Sequence, residues 1–132
     1  MTTSDALIVI VEDNERNAKL VRDVLKVKGY RTAEAVTAED GLEIIRRDQP
    51  DLVLMDIQLP GMDGLSATKI LKEDPNLKDM PIVALTSYAM EGDKEKAMEA
   101  GCAGYIAKPI DTRNFLETLS QYLKNVDQIV KN

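Results

Sequence analysis

The sequence predicts an α/β protein: a (βα)5 doubly wound, five-stranded parallel sheet with helices on both faces. Three observations carry that prediction. The apolar runs at 6–11, 52–55 and 82–85 lack the polar alternation of a half-solvated strand, so they suit strands buried on both faces. Segments with helical spacing of apolar residues separate them. Strictly alternating strands and helices need right-handed crossovers, which make the sheet parallel.

Taken in order, ALIVIV at 6–11 is a β-branched apolar run ending abruptly at Glu12 and Asp13. Asn14 or Asp13 is placed to cap the first helix, where Leu20, Val21, Val24 and Leu25 follow helical spacing and Gly29 is the stop. Residues 30–35 form a weaker second strand, expected at an edge. Thr37 with Asp40 resembles a capping box, and the second helix turns Leu42 and Ile45 inward before Pro50. The central stretch is DLVLMDIQLPGMDG at 51–64: Leu52 to Met55 run into one carboxylate, Asp56, before Pro60, Gly61 and Gly64 break the pattern.

A third helix follows at 64–74 and a loop at 75–81. The fourth strand, 82–85, runs into Thr86 and Ser87. The fourth helix, 91–100, is rich in charge, poor in large apolar residues and closed by Gly101. The fifth strand, 104–107, leads into Lys108 and Pro109. The last helix, about 112–126, aligns Phe115, Leu119, Tyr122, Leu123 and Val126 on one stripe, and a polar, frayed tail occupies 127–132. With no repeat, low-complexity segment or linker, the reading is one domain over 1–132 with its core at about 6–126.

Composition narrows the chemistry. At 44% hydrophobic and 30% charged, the 132 residues can fold around a core without staples. The net charge of −6 argues against nucleic-acid and anionic-membrane partners. The N-terminus does not read as a signal peptide, and no apolar stretch is long enough to span a membrane. Cys102 alone excludes an internal disulfide and fits a reducing, cytoplasmic location. With no histidine, zinc fingers, histidine acid–base catalysis and Cys–His nucleophiles are excluded; any metal must be a hard one held by oxygen.

Four of the five strands deliver a charged or hydroxyl group to one sheet edge: Glu12 and Asp13, Asp56, Thr86 and Ser87, and Lys108. In the flavodoxin-like order 2-1-3-4-5, strands one and three are neighbours at the switch point where ligands bind. Glu12, Asp13 and Asp56 then converge, and their repulsion raises their pKa values unless a cation sits among them. Carboxylates, a loop carbonyl and open water positions describe a Mg²⁺ site. A nucleotide fold needs glycines after strand one; this chain has two acids there. Each residue also has an ordinary reading: Asp56 as a loop cap, Glu12-Asp13 as a helix-start pair, Thr86 as a strand residue, Lys108 as a surface lysine, Tyr105 as a core aromatic. Cys102 reads as a small packing residue, and Met55, Met62, Met80, Met90 and Met98 as gap fillers.

VEDN at 11–14, LMDIQLPGMDG at 54–64, TSYAM at 86–90 and YIAKPI at 105–110 resemble the receiver domain of two-component response regulators, the CheY-like superfamily, over essentially the whole chain. EDNERN at 12–17, MDIQLP at 55–60 and AMEGDKEKAMEAGCAGYIAKPI at 89–110 are most similar to a stand-alone cell-division regulator of that family, then to receivers attached to hybrid histidine kinases.

The resemblance implies that Asp56 accepts a phosphoryl group from a sensor histidine kinase or a histidine phosphotransfer protein. It implies Mg²⁺, with Mn²⁺ as a substitute, held by Asp13, Asp56 and the backbone carbonyl of Gln58, with Glu12 acting through water. Lys108 supplies a second positive charge, aimed by a cis Lys108-Pro109 peptide. Thr86 then bonds the phosphoryl oxygen, and Tyr105 turns into the space it leaves. That alters the face of helix four, strand five and helix five, which binds a downstream protein. Ser87 stands where the family usually has alanine; Gln58 and Tyr88 flank the path of hydrolytic water, and a bulky Tyr88 implies slow dephosphorylation.

On this reading the chain is a signalling module that catalyses only its own phosphorylation and dephosphorylation, with no output domain after helix five. The alternatives are a receiver segment of a hybrid histidine kinase and, from another class, a haloacid-dehalogenase-type phosphohydrolase. The latter expects a second Asp two residues after the nucleophile, where this chain has Gln58. A flavin or nucleotide binder is weakened by the acidic first loop.

Overall fold

Strand β1 (Leu7–Val11) lies between β2 (Arg31–Ala35) and β3 (Leu52–Asp56), and β4 (Ile82–Thr86) and β5 (Gly104–Ala107) continue the sheet beyond β3. All four pairings are parallel, in the order β2-β1-β3-β4-β5 that the sequence predicts. The computed structural model describes residues 6–86, 92–108 and 110–131, with side chains described as far as Leu123. The helices are α1 (Glu15–Val27), α2 (Ala38–Asp48), α3 (Gly64–Lys72), α4 (Asp93–Ala100) and α5 (Thr112–Lys131). No helix among the described residues is long and apolar enough to cross a membrane.

Strand alternation divides the core into two layers. Val9, Val11, Val53, Met55, Ile82 and Ala84 face Ala38, Leu42, Ile45, Ala67, Leu71 and Ala97 of α2, α3 and α4. Ile8, Ile10, Leu52, Leu54, Val83 and Leu85 face Val21, Leu25, Phe115 and Leu119 of α1 and α5. Every residue of β3 and β4 is buried, which explains their unbroken apolar runs. Each large aliphatic side chain removed from water contributes about 1.5–3 kcal/mol, so these two strands anchor the site at their ends.

Local details differ from the sequence reading for identifiable reasons. Asn14 is the cap of α1, its side chain accepting from the Asn17 amide, and the helix buries Ala18, Val21 and Leu25. Leu20 lies one residue, roughly 100°, off that stripe and stays 39% exposed. The cap at Thr37 is present, its hydroxyl accepting from the Asp40 amide at 3.1 Å. Helix α3 closes at Lys72 rather than 74, because the Glu73 amide already serves as its cap. Helix α4 begins at Asp93 after Gly92, and Glu91, where the sequence suggested its start, lies outside the described residues. Helix α5 continues to Lys131, through the segment expected to be a frayed tail; no Pro or Gly interrupts it there. Met55 and Met80 fill core gaps, but Met98 is 45% exposed; Met90 lies outside the described residues. Cys102 is buried, with its Sγ 4.0 Å from the Thr68 hydroxyl, and burial pushes the thiol pKa up.

Candidate functional site

The carboxyl edge of the sheet collects the chain's acidic strand ends. Glu12 continues the β1 ladder, its amide donating to the Ala35 carbonyl at 3.0 Å, and this turns its side chain inward until it is 2% exposed. Asn14 then starts α1, so only Asp13 separates the end of the ladder from the helix cap. The Asn14 amide donates to Glu12 Oε2 at 3.2 Å, pinning that carboxylate. Asp13 itself is exposed. Asp56 is the last residue of β3 and is buried; its Oδ1 accepts the Gln58 amide at 2.9 Å, which fixes the carboxylate's orientation.

Glu12, Asp13 and Asp56 each offer a carboxylate oxygen within 4.8 Å of the others. Lys108 enters the cluster from β5: its backbone amide donates to the Thr86 carbonyl at 2.7 Å, and its Nζ lies 3.1 Å from Asp56 Oδ2 and 2.6 Å from Glu12 Oε1. The Glu12 contact is an ion pair by distance but too poorly aligned for a hydrogen bond, so Glu12 Oε1 is buried without a well-directed donor among the described residues. A hard cation or its water would satisfy that oxygen, and an all-oxygen donor set suits Mg²⁺.

Electrostatics follow from this packing. Burial pushes the Glu12 pKa up to about 7; the neighbouring Asp56 carboxylate adds to the rise, while Lys108 and the Asn14 amide oppose it. For Lys108, burial favours loss of the proton, but the contacts with Glu12 and Asp56 outweigh it and hold the ammonium above its usual range. A cation among the carboxylates is therefore already supplied in part by Lys108 itself.

Thr86 ends β4 fully buried, and Tyr105 lies half-buried on β5. The register pairs Ala84 with Tyr105 and Thr86 with Ala107, so Thr86 and Tyr105 are diagonal neighbours on the α4 side of the sheet. Gln58 is exposed in the loop beyond Asp56. Ser87, Tyr88 and Pro109, and with Pro109 the Lys108-Pro109 peptide, lie outside the described residues.

Two contributors escaped the sequence reading. Gly64 reads as a turn breaker, yet a Cβ there would run into the Asp56 carbonyl oxygen and come within 2.8 Å of Ile57 Cα: the start of α3 packs on the acid's own backbone. Lys94 of α4 places its ammonium 5.9 Å from the centre of the Tyr105 ring. Neither leaves a periodic signal, because both depend on how elements distant in sequence meet.

Comparison with known proteins agrees with this geometry. The description "Response regulator receiver domain" matches residues 8–120. The polar-differentiation response regulator DivK of Brucella ovis is 47% identical over 116 residues, 88% of this chain and 94% of that protein. Among solved structures, a CheY-like response regulator receiver domain from Methanospirillum hungatei superposes with a TM-score of 0.87 at 29% identity, over 95% of this chain and 98% of that one. The receiver domain of a Pseudomonas aeruginosa sensor histidine kinase, solved with a magnesium ion in its active-site cleft, superposes with a TM-score of 0.85 at 32% identity, over 92% of this chain and 99% of that one. The chain belongs to the response regulator receiver domain family and within it is DivK-like.

Proposed function

We propose that this receiver is a phosphorylation-controlled binding module that takes a phosphoryl group onto Asp56 from a phosphohistidine of a sensor kinase or phosphotransfer protein. The observation that carries this reading is the cluster of Glu12, Asp13 and Asp56 oxygens, with Lys108 Nζ 3.1 Å from the proposed acceptor. Asp13, Asp56 and the Gln58 carbonyl would hold Mg²⁺, with Glu12 behind them; that the Pseudomonas receiver carries magnesium in its active-site cleft supports the choice of ion. When bound, the ion neutralises charge on the transferring phosphoryl group.

The chain's own residues do the rest. The Gln58 amide holds the Asp56 carboxylate in one rotamer, so an oxygen is presented in line. A carboxylate oxygen forms the new bond to phosphorus; the bond from phosphorus to imidazole nitrogen breaks, and the nitrogen keeps the electron pair and takes a proton from solvent. Lys108 balances negative charge on the phosphoryl oxygens in a loose transition state. The Thr86 hydroxyl then donates to a phosphoryl oxygen, and Tyr105 turns toward the space vacated beside it. The surface of α4, β5 and α5 thereby changes for a downstream protein partner. The same chemistry would serve a receiver segment of a hybrid kinase.

Intact mass after incubation with acetyl phosphate tests the reading. One phosphoryl group, dependent on Mg²⁺ and lost in Asp56→Asn, is expected. An adduct that survives Asp56→Asn identifies another acceptor. Catalytic turnover of small phosphate esters would instead favour the haloacid-dehalogenase-type hydrolase.

A further inference from the structure

Helix α4 is weakly held at its start. It buries only Ala97 and Ala100, and its first turn follows Gly92 with no side-chain cap. Its far end is stitched down: the Gly101 and Cys102 amides donate to Met98 and Ala97 carbonyls, and the Ala103 amide donates to the Ile82 carbonyl of β4 at 2.8 Å. From the loose first turn, Lys94 lays its ammonium 5.9 Å from the Tyr105 ring centroid, spanning the gap between α4 and β5. Tyr105 lies on the same side of the sheet as Thr86 and packs against the layer that contains Ala97 and Cys102.

We propose that Lys94 is a latch on Tyr105: its cation on the ring face holds the start of α4 against β5 and biases the switch toward the resting arrangement. The inference rests on Asp56 being the phosphoacceptor and adds a residue that sets the resting bias. A ligand or modification shifts an equilibrium only through a difference between the two states. If Tyr105 turns inward beside Thr86, its ring leaves Lys94, so the contact exists in the resting state alone. Removing it therefore favours the phosphorylated arrangement, and by linkage strengthens whatever binds at Asp56 by the same factor. For an exposed cation–π contact that factor is about two- to fivefold.

The test is titration with beryllofluoride in the presence of Mg²⁺, followed by backbone amide NMR of β5 and α4, on wild type, Lys94→Ala, Lys94→Arg, Tyr105→Leu, and Lys94→Ala with Tyr105→Leu. Lys94→Ala is expected to lower the midpoint about two- to fivefold, while Lys94→Arg, which keeps the cation, stays near wild type. Against the Tyr105→Leu background, Lys94→Ala should have no effect. Equal midpoints for wild type and Lys94→Ala, or an undiminished shift in the Tyr105→Leu background, overturn the latch. So does the absence of an upfield ring-current shift on the Lys94 ε-methylene of the resting protein. Failure of the underlying reading looks different: wild type then binds no beryllofluoride and gains no mass from acetyl phosphate, which removes the switch and the latch together.

Discussion

Lys108 Nζ and Asp56 Oδ2 meet at 3.1 Å across 52 residues of sequence, inside a site where both side chains are nearly buried. Breaking a buried pair from one side leaves an uncompensated charge, which typically costs about 3–5 kcal/mol. In Lys108→Met, which strips the cation from beside Glu12 and Asp56, unfolding free energy should fall by about 3 kcal/mol in metal-free protein at about pH 8. Added Mg²⁺ should recover part of that loss. Denaturant unfolding with and without the ion measures both; an unchanged midpoint would show that Lys108 contributes nothing there.

Asp13 is the exposed member of the acidic cluster, so its removal should touch the metal and spare the fold. Asp13→Asn is expected to weaken Mg²⁺ binding by about tenfold or more, equivalent to about 1.4 kcal/mol, with little change in metal-free melting temperature. Calorimetric titration with Mg²⁺ gives the affinity. Wild-type affinity in the variant would place the ion elsewhere.

Glu12 links the site to pH. Its carboxyl holds a proton up to about pH 7 in the fold, against an ordinary value of 4.5. A raised carboxyl pKa means the folded protein binds the proton more tightly than the unfolded chain does. The associated stability is complete below the unfolded value and is lost as pH rises through the folded one. Metal-free wild type should therefore lose melting temperature relative to Glu12→Gln between about pH 5 and about pH 8. Mg²⁺ competes with that proton, so wild-type affinity for the ion should climb over the same window and flatten in Glu12→Gln. Parallel pH profiles for the two proteins would rule out the assignment.

Gly64 and Gly104 should differ in their tolerance of a methyl group. At Gly64 the added Cβ meets the backbone of Asp56 and Ile57, which cannot rotate away. At Gly104 it meets the hydroxyl end of Tyr122, a side chain that can shift. Gly64→Ala should cost about 3 kcal/mol or more and impair Asp56 phosphorylation, whereas Gly104→Ala should cost nearer about 1 kcal/mol. Chemical denaturation of the two variants ranks them; the reverse order would mean that α3 moves off Asp56 more easily than Tyr122 moves off β5.

Much of the architecture was legible in the sequence because burial on both faces writes itself as unbroken apolar runs, and two of the helix caps write themselves as Asn14 and Thr37. The run that ends at Asp56 and the acids after β1 located the edge where the acidic cluster gathers, since a parallel sheet brings its strand ends to one side. The length of α5 and the place of Leu20 were misread, because neither a polar ending nor a single exposed leucine reports which partner covers a helix.

What the sequence determined by itself was therefore the order of elements, the two-layer core and the set of residues at the sheet's edge. Tertiary structure alone decided which of them touch. It paired Lys108 with both Glu12 and Asp56, seated Gly64 on the acid's backbone and set Lys94 over Tyr105. Periodicity depends on neighbours a few residues apart, so the sequence could show each strand and helix. Contacts such as these join residues from separate elements, and their distances follow only once the whole sheet has packed.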